Sequence, residues 1–217
     1  MSGSKVKVEA PKLSAALESR TIDAYELCDE YAISDCVIRD CDVENQTGYR
    51  VCFDRILFQN VAFRGNSLPK SEWTDVRFDN CDLSNIDLNG AIMHRVSFHE
   101  CKLLGMDLTE ATLRNVLFDE CYGDYAVLRF SNAKQVKFET CSLAKADLSN
   151  MTHAQTSLHE CNIDGVQFAQ TKLRGVDLSN CDFASLSVNI EDLQGCIISP
   201  LQASSFAAMF GLVVKED

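Results

Sequence analysis

VRFDNCDLSNIDLNGAIMHRVSFHECKL (76–103) holds one local pattern twice, with FDNCDL at 78–83 returning as FHECKL at 98–103. The pattern continues as FDECYG (118–123), FETCSL (138–143), LHECNI (158–163) and LSNCDF (178–183). Cys81, Cys101, Cys121, Cys141, Cys161 and Cys181 therefore stand twenty residues apart, and Cys41 belongs to the same series. A period in this range signals a stacked repeat. Twenty is itself divided into fives. Every fifth residue from Ile38 to Ile198 is Leu, Phe, Ile, Val, Met or Trp, except Gly48, Gly123, Ala133 and His153. Of the twelve phenylalanines only Phe130, Phe206 and Phe210 fall outside this register.

A second column lies two residues earlier and holds small or medium apolar residues, among them Val76, Cys81, Ile86, Ala91 and Val96. A period of five matches neither the 3.6 of a helix nor the 2.0 of a flat strand. It describes a coil of four sides, each five residues long, with a large and a small apolar residue pointing inward. The other three positions, rich in Asp, Asn, Ser and Gly, face outward or form corner turns. Coils stacked by backbone hydrogen bonds rise ~4.8 Å each, so about eight make a rod of ~40 Å. No insertion breaks the register, so no large projecting loop is expected. Asn66, Pro69 and Trp73 mark the least regular coil, where a bulge is expected.

The 217 residues carry 20 Lys+Arg against 32 Asp+Glu, a formal net charge of −12. That balance argues against direct nucleic-acid binding, which needs clustered Lys and Arg. It suits a basic partner or a protein presenting its own carboxylates. No apolar run approaches a membrane span. The stretch 1–11 lacks an apolar signal core, so a cytoplasmic protein is expected. The odd count of eleven cysteines argues against a disulfide framework. Those in the series are expected to be free, buried and unreactive.

The period also assigns the exposed residues to faces. Asp79, Glu100, Asp119, Glu120, Glu139 and Glu160 follow the repeated inward residue and form an acidic stripe, the first candidate partner-binding face. A lesser acidic stack is Asp87, Asp107 and Asp147. Another side gathers Arg55, Arg95, Arg114, Lys134 and Arg174, tempered by Asp54 and Asp75. Stacked like charges repel, so segregation of this kind points to a partner. Charge −12 over ~40 Å is about half the roughly 24 charges of B-DNA over that length, so any imitation of a duplex is partial. Around Gly123, the segment CYGDYAVLRF places Tyr122, Tyr125 and Phe130 at outward positions, the second candidate face. The alternative is a rearranged coil that turns them inward to fill the space left by Gly123 and Ala133.

Both ends of the rod need covers, since terminal coils expose unpaired strand edges. Residues 1–35 read as an N-terminal segment and cap, with 11–35 helical or irregular and Leu13, Leu17, Ile22 and Leu27 as contacts. The repeat occupies 36–198. Within 199–217, Ser199-Pro200-Leu201-Gln202 starts a helix with a capping box, Gly211 ends it, and Leu212-Val213-Val214 follows as a short strand. Leu201, Phe206, Met209, Phe210, Leu212 and Val213 exceed what one rod end needs. They serve either a monomer's cap or a two-fold, end-to-end homodimer.

No catalytic constellation survives the register. His99-Glu100-Cys101 and His159-Glu160-Cys161 resemble metal ligands in one dimension, but the coil points each Cys inward and its His and Glu outward. His153, at a central position, is a core histidine or a local defect. No metal, cofactor or enzymatic activity is expected.

Segments such as CDLSNIDLNG (81–90), MDLTEATLRN (106–115) and ADLSN (146–150) resemble the A(D/N)LXX motif of pentapeptide-repeat proteins. That resemblance covers about residues 36–198 and implies an all-β fold, a right-handed quadrilateral β-helix. Within the family, VRFDNCDLSN (76–85), HRVSFHECKL (94–103), FDECYGDYAVLRFSNA (118–133) and SPLQASSFAAMFGLVV (199–214) resemble the quinolone-resistance group, particularly its loop-free members from Gram-positive bacteria. The resemblance implies a homodimer that binds DNA gyrase and topoisomerase IV as a partial duplex mimic and protects them from fluoroquinolones. An interaction scaffold and an immunity protein against a gyrase toxin are the alternatives.

Overall fold

The computed structural model describes residues 6–23 and 26–215; part of the N-terminal segment (1–5, 24–25) and residues 216–217 lie outside it. One parallel sheet runs through the molecule in chain order: β1 (Glu18–Ser19), β2 (Ala32–Asp42), β3 (Cys52–Ala62), β4 (Glu72–Asp79), β5 (Ile92–His99), β6 (Thr112–Asp119), β7 (Asn132–Glu139) and β8 (Thr152–His159). From β2 onward each strand pairs with the next at an offset of one repeat, so Phe58, Phe78, Phe98, Phe118 and Phe138 lie in line. The other sides hold the same offset through single bridges, such as Asp82 to Lys102 to Tyr122 to Ser142. The chain is a β-solenoid whose coils contain one repeat each, as the spacing predicts.

The aligned phenylalanines show what holds the coils in register. Adjacent rings stack at 4.9, 4.7, 5.0 and 4.7 Å, with the last three pairs within 4° of parallel. Isolated aromatic pairs prefer offset or edge-on geometry. Here the strand spacing of ~4.8 Å leaves identical side chains no other arrangement. Beside this stack runs the cysteine column. The Cys121 thiol donates to the Phe98 carbonyl at 3.5 Å and the Asp119 carbonyl at 3.3 Å, and Cys141 repeats the pattern one coil on. All eleven cysteines are free, and those from Cys81 to Cys181 are buried. Hydrogen bonding to the neighbouring thiols, with burial, holds the Cys101 proton far above the ordinary thiol range.

The corners follow a stricter rule than composition suggested. Every fifth residue from Glu30 to Gly175 has positive φ, and most of these residues are not glycine: Asn80 (52°), Arg95 (53°), Glu120 (52°) and Phe130 (57°) are typical. Left-handed backbone costs an L-residue about 1–2 kcal/mol. Side chains one coil apart offset some of that cost, as in the amide chain from Asn80 to Asn60 (2.8 Å) and from Asn60 to Asp40 (2.8 Å). The motif aspartates also act locally. Asp87, Asp107 and Asp147 each accept a hydrogen bond from the amide two residues on, at 3.0, 2.8 and 3.0 Å, which fixes the next corner.

Three expectations need correction. No bulge interrupts the coil at Asn66, Pro69 and Trp73. Trp73 lies flat on Phe53 at 3.9 Å, and Asn66 bridges the Gln46 amide and the Val43 carbonyl inside the coil, so register is kept. Among the described residues of 11–35 there is no helix. Instead β1 pairs with β2 through Glu18 and Ser19, which covers the open edge, while Ile22 and Leu27 are buried beneath. Leu212-Val213-Val214 forms no strand. The C-terminal helix α1 (Gln202–Met209) is present. The capping box forms: the Ser199 amide donates to Gln202 Oε1 (2.9 Å) and the Gln202 amide to Ser199 Oγ (3.3 Å). Gly211 (φ 77°) ends the helix, its amide bonding Ala208 and that of Leu212 bonding Ala207.

Candidate functional site

Alternate residues of a strand share a face. On the sheet side this puts Arg77 beside Asp79 and Lys137 beside Glu139, and both pairs form ion pairs, the first at 2.7 Å. Asp119 faces His99 at 3.1 Å. Half of the proposed stripe is thus paired with neighbouring side chains. The other half lies on the adjoining corner, where Glu100, Glu120 and Glu160 are exposed at φ 52° and make no ion pair among the described residues. The candidate acidic feature is therefore a narrow ridge one residue wide.

The arginine side is neutralised only in part, since Arg114, Lys134 and Arg174 make no ion pair among the described residues. The Arg55 guanidinium grips Asp35 through two bonds of 2.5 and 2.7 Å, and Arg95 grips Asp75 through two of 2.6 and 2.7 Å. The Arg55 hydrogen bond holds the Asp35 carboxyl below the usual carboxylate range. Burial opposes ionisation of Asp75, but Arg95 and the Lys12 amide together outweigh it and lower its pKa.

The Lys12 amide belongs to a feature the sequence reading missed. Residues 6–13 run along the sheet side, across the strands. Lys12 donates its amide to Asp75 Oδ1 (2.8 Å), Glu9 donates its amide to Asn115 Oδ1 (3.0 Å), and Gln135 Nε2 donates to the Lys7 carbonyl (3.3 Å). Val6, Val8, Pro11 and Leu13 are half-buried against the rod, while Lys7, Glu9 and Lys12 are exposed. Beneath this strap, Leu117 and Ser97 replace the long polar residues Lys137 and Arg77 of the same column, leaving a groove of about 500 Å³. The only sequence signal was the apolar-polar alternation of VKVEAPKL (6–13), too short to name its target.

Tyr122, Tyr125 and Phe130 point outward, and Tyr122 is 65% exposed. The small void lined by Gly123 and Ala126 stays inside the coil, so the rings are not drawn in. Tyr122 and Tyr125 adjoin, the latter under the Lys145 ammonium at 5.4 Å from the ring centre. Phe130 stands at the next corner. The three therefore form two patches rather than one.

At the C-terminal end the six candidate contacts divide. Phe206 is buried against Phe183, with ring centres 5.4 Å apart, and the Met209 sulfur meets the Leu186 amide at 3.1 Å. These two close the rod. Leu201 (89%) and Val213 (95%) are exposed, as are Phe210 and Leu212. The metal-like triplet diverges: Cys101 is buried, Glu100 exposed and His99 turned to Asp119. His153 leaves the core column and bonds the Lys172 carbonyl at 2.7 Å.

A solenoid of square coils with side chains presented along its faces defines a repeat protein built for surface display. The model of the pentapeptide repeat region matches residues 71–148, and that of pentapeptide repeats (8 copies) matches 141–180 and 161–187. The chain belongs to the pentapeptide-repeat family. None of the curated proteins matches it. Among solved structures it is similar to HetL, a pentapeptide repeat protein involved in heterocyst differentiation regulation from the cyanobacterium Nostoc sp. strain PCC 7120. Identity is 18%, covering 79% of this chain and 84% of that one, with a TM-score of 0.53. Trypsin-treated QnrB1, a plasmid-mediated fluoroquinolone resistance protein, matches at 18% identity, 86% and 99% coverage, and a TM-score of 0.42. No helix of the described residues is long and apolar enough to cross a membrane.

Proposed function

We propose that this chain is a non-enzymatic binding rod, and that its partner is the basic DNA-binding surface of a type II topoisomerase, DNA gyrase or topoisomerase IV. The observation that carries the reading is the corner ridge. Glu100, Glu120 and Glu160 project unpaired along a narrow rod whose net charge is −12. A basic cleft shaped for a duplex is complementary to such an edge. Coils rising at ~4.8 Å space these carboxylates along the corner, with Thr140 standing between Glu120 and Glu160. The resemblance of 76–133 and 199–214 to the quinolone-resistance group points the same way. So does the apolar end, where Leu201, Phe210, Leu212 and Val213 suit a second copy placed end to end. Binding would then protect the enzyme from fluoroquinolones by competing for the drug-trapped complex.

The test is a supercoiling assay with ciprofloxacin. The expected result is restored or, at excess, inhibited gyrase activity, lost on charge reversal of Glu100 and Glu120. Protein that changes activity at no concentration overturns the reading. A scaffold role unrelated to topoisomerases is the second reading, favoured by Tyr122 and Tyr125, which are exposed on the side that follows the ridge corner. A pulldown whose product changes with Tyr122→Ala and not with Glu120→Lys would select it.

A further inference from the structure

We propose that the groove under residues 6–13 is a docking site for an extended peptide. The strap is its resting occupant, and a partner segment of the same chemistry displaces it. That chemistry is apolar residues at alternating positions with lysines between them. The occupant seated in the structure sets the pattern: Val6, Val8 and Leu13 face the rod while Lys7 and Lys12 face away.

Several observations distinguish an exchangeable occupant from a fixed part of the fold. The strap crosses the coils of Asp75, Asn115 and Gln135, yet among the described residues it is held by three hydrogen bonds, each to a side chain. A strand integrated into the sheet would use its backbone ladder. The fit is loose, since a groove of about 500 Å³ remains between strap and rod. On its floor Ser97, 3% exposed, has a hydroxyl with no partner among the described residues. Beyond Val6 the same face continues as a second hollow of about 370 Å³ lined by Thr156 and Ser157. The Ser157 hydroxyl is buried and has no partner among the described residues, while Thr156, in line with Val136 of the inward column, turns into the coil. From Gln135, where Lys7 is held, the face runs about two further coils to Asp177, ~10 Å, room for about three more extended residues. A longer segment from a partner would reach the Ser157 hydroxyl, which residues 6–13 leave unused.

The groove stands on the strap's geometry and not on the topoisomerase reading, so either can fail alone. The probe is a fluorescein-labelled peptide of residues 5–13, KVKVEAPKL, titrated by anisotropy into the full chain and into its Val8→Asp, Leu13→Asp variant. A tethered occupant at ~1 mM effective concentration weakens a competitor of ~0.1 mM affinity about tenfold. The variant should therefore bind the peptide about tenfold more tightly than the wild type, and adding Leu117→Asp should remove that binding. Equal binding by wild type and variant, no binding by either, or binding that survives Leu117→Asp overturns the proposal. Amide exchange in the wild-type chain gives a readout independent of the variants. Excess unlabelled peptide should speed exchange at Glu9 and Lys12, and unchanged rates at both would also overturn it.

Discussion

The two ends of the rod meet one requirement by different means. At the N-terminal end β1 pairs with β2, and Ile22 and Leu27 fill the opening, so most of the apolar material is consumed. At the C-terminal end α1 lies across the last coils and inserts only Phe206 and Met209, leaving Leu201, Phe210, Leu212 and Val213 in contact with solvent. Pairing an edge satisfies backbone groups and leaves little over. Covering it with a helix brings a second face, and here that face is apolar. A sheet end closed by its own strand is finished; one closed by a helix offers a new surface.

The contrast can be broken at its strongest point by Phe206→Ala. Loss of the buried ring should cost about 3–5 kcal/mol in denaturant unfolding. Leu27→Ala, the corresponding plug at the other end, should cost about 2–5 kcal/mol. A loss under 1 kcal/mol at Phe206 would mean that α1 is not the lid. Next comes Asp192, which accepts hydrogen bonds from Lys172 Nζ (2.7 Å), Asn189 Nδ2 (2.9 Å) and the Gln170 amide (3.0 Å). Asp192→Ala should cost about 1–3 kcal/mol. The Lys172 hydrogen bond lowers the Asp192 pKa. Its contribution is therefore complete above the ordinary carboxylate value of 3.8 and is lost as pH falls through the depressed one. An acid titration should show this loss in the wild type and not in Asp192→Asn.

Gln202→Ala removes the capping box and the bonds from Gln202 Nε2 to the Leu178 and Cys181 carbonyls, both 2.8 Å. About 1 kcal/mol should be lost. The smallest change in stability, within about 0.5 kcal/mol, is expected for Val213→Asp, which touches only exposed surface. Its readout is sedimentation. The wild type should run at twice the 24.1 kDa chain mass and the variant at the chain mass. A wild type sedimenting as one chain at micromolar concentration would leave the surplus without a purpose and remove the contrast.

The solenoid was legible because one constraint is restated at each coil. Stacking requires Phe78, Phe98 and Phe118 to be alike, so the period survives any single exception such as Gly123. Features that occur once were harder to read. The strap uses Lys12 and Glu9 against Asp75 and Asn115, partners with no periodic relation to them. The corners concealed their backbone geometry because stacking lets Arg95 and Phe130 stand where an isolated turn would select glycine. The acidic stripe looked broader than it is, although the i, i+2 pairs Arg77–Asp79 and Lys137–Glu139 were open to inspection once strands were assigned. The capping box and Gly211 were read correctly because they are local, with every partner within a few residues.

For the proposed partner, a surface built to hold DNA, the phenylalanine stack has a further consequence. It sets the pitch of the corner ridge at 4.7–5.0 Å per coil. Measured along the duplex axis, the phosphates of one strand recur about every 3.4 Å. Marks ~4.8 Å and ~3.4 Å apart coincide about once in 24 Å, whereas the ridge from Glu100 to Glu160 spans three coils, ~14 Å, so the two scales coincide at most once along it. A partner that counted phosphates one by one would lose step within a coil or two. A partner that reads the ridge must do so with long, mobile lysine and arginine side chains that sample the average charge, so the rod selects for a forgiving grip.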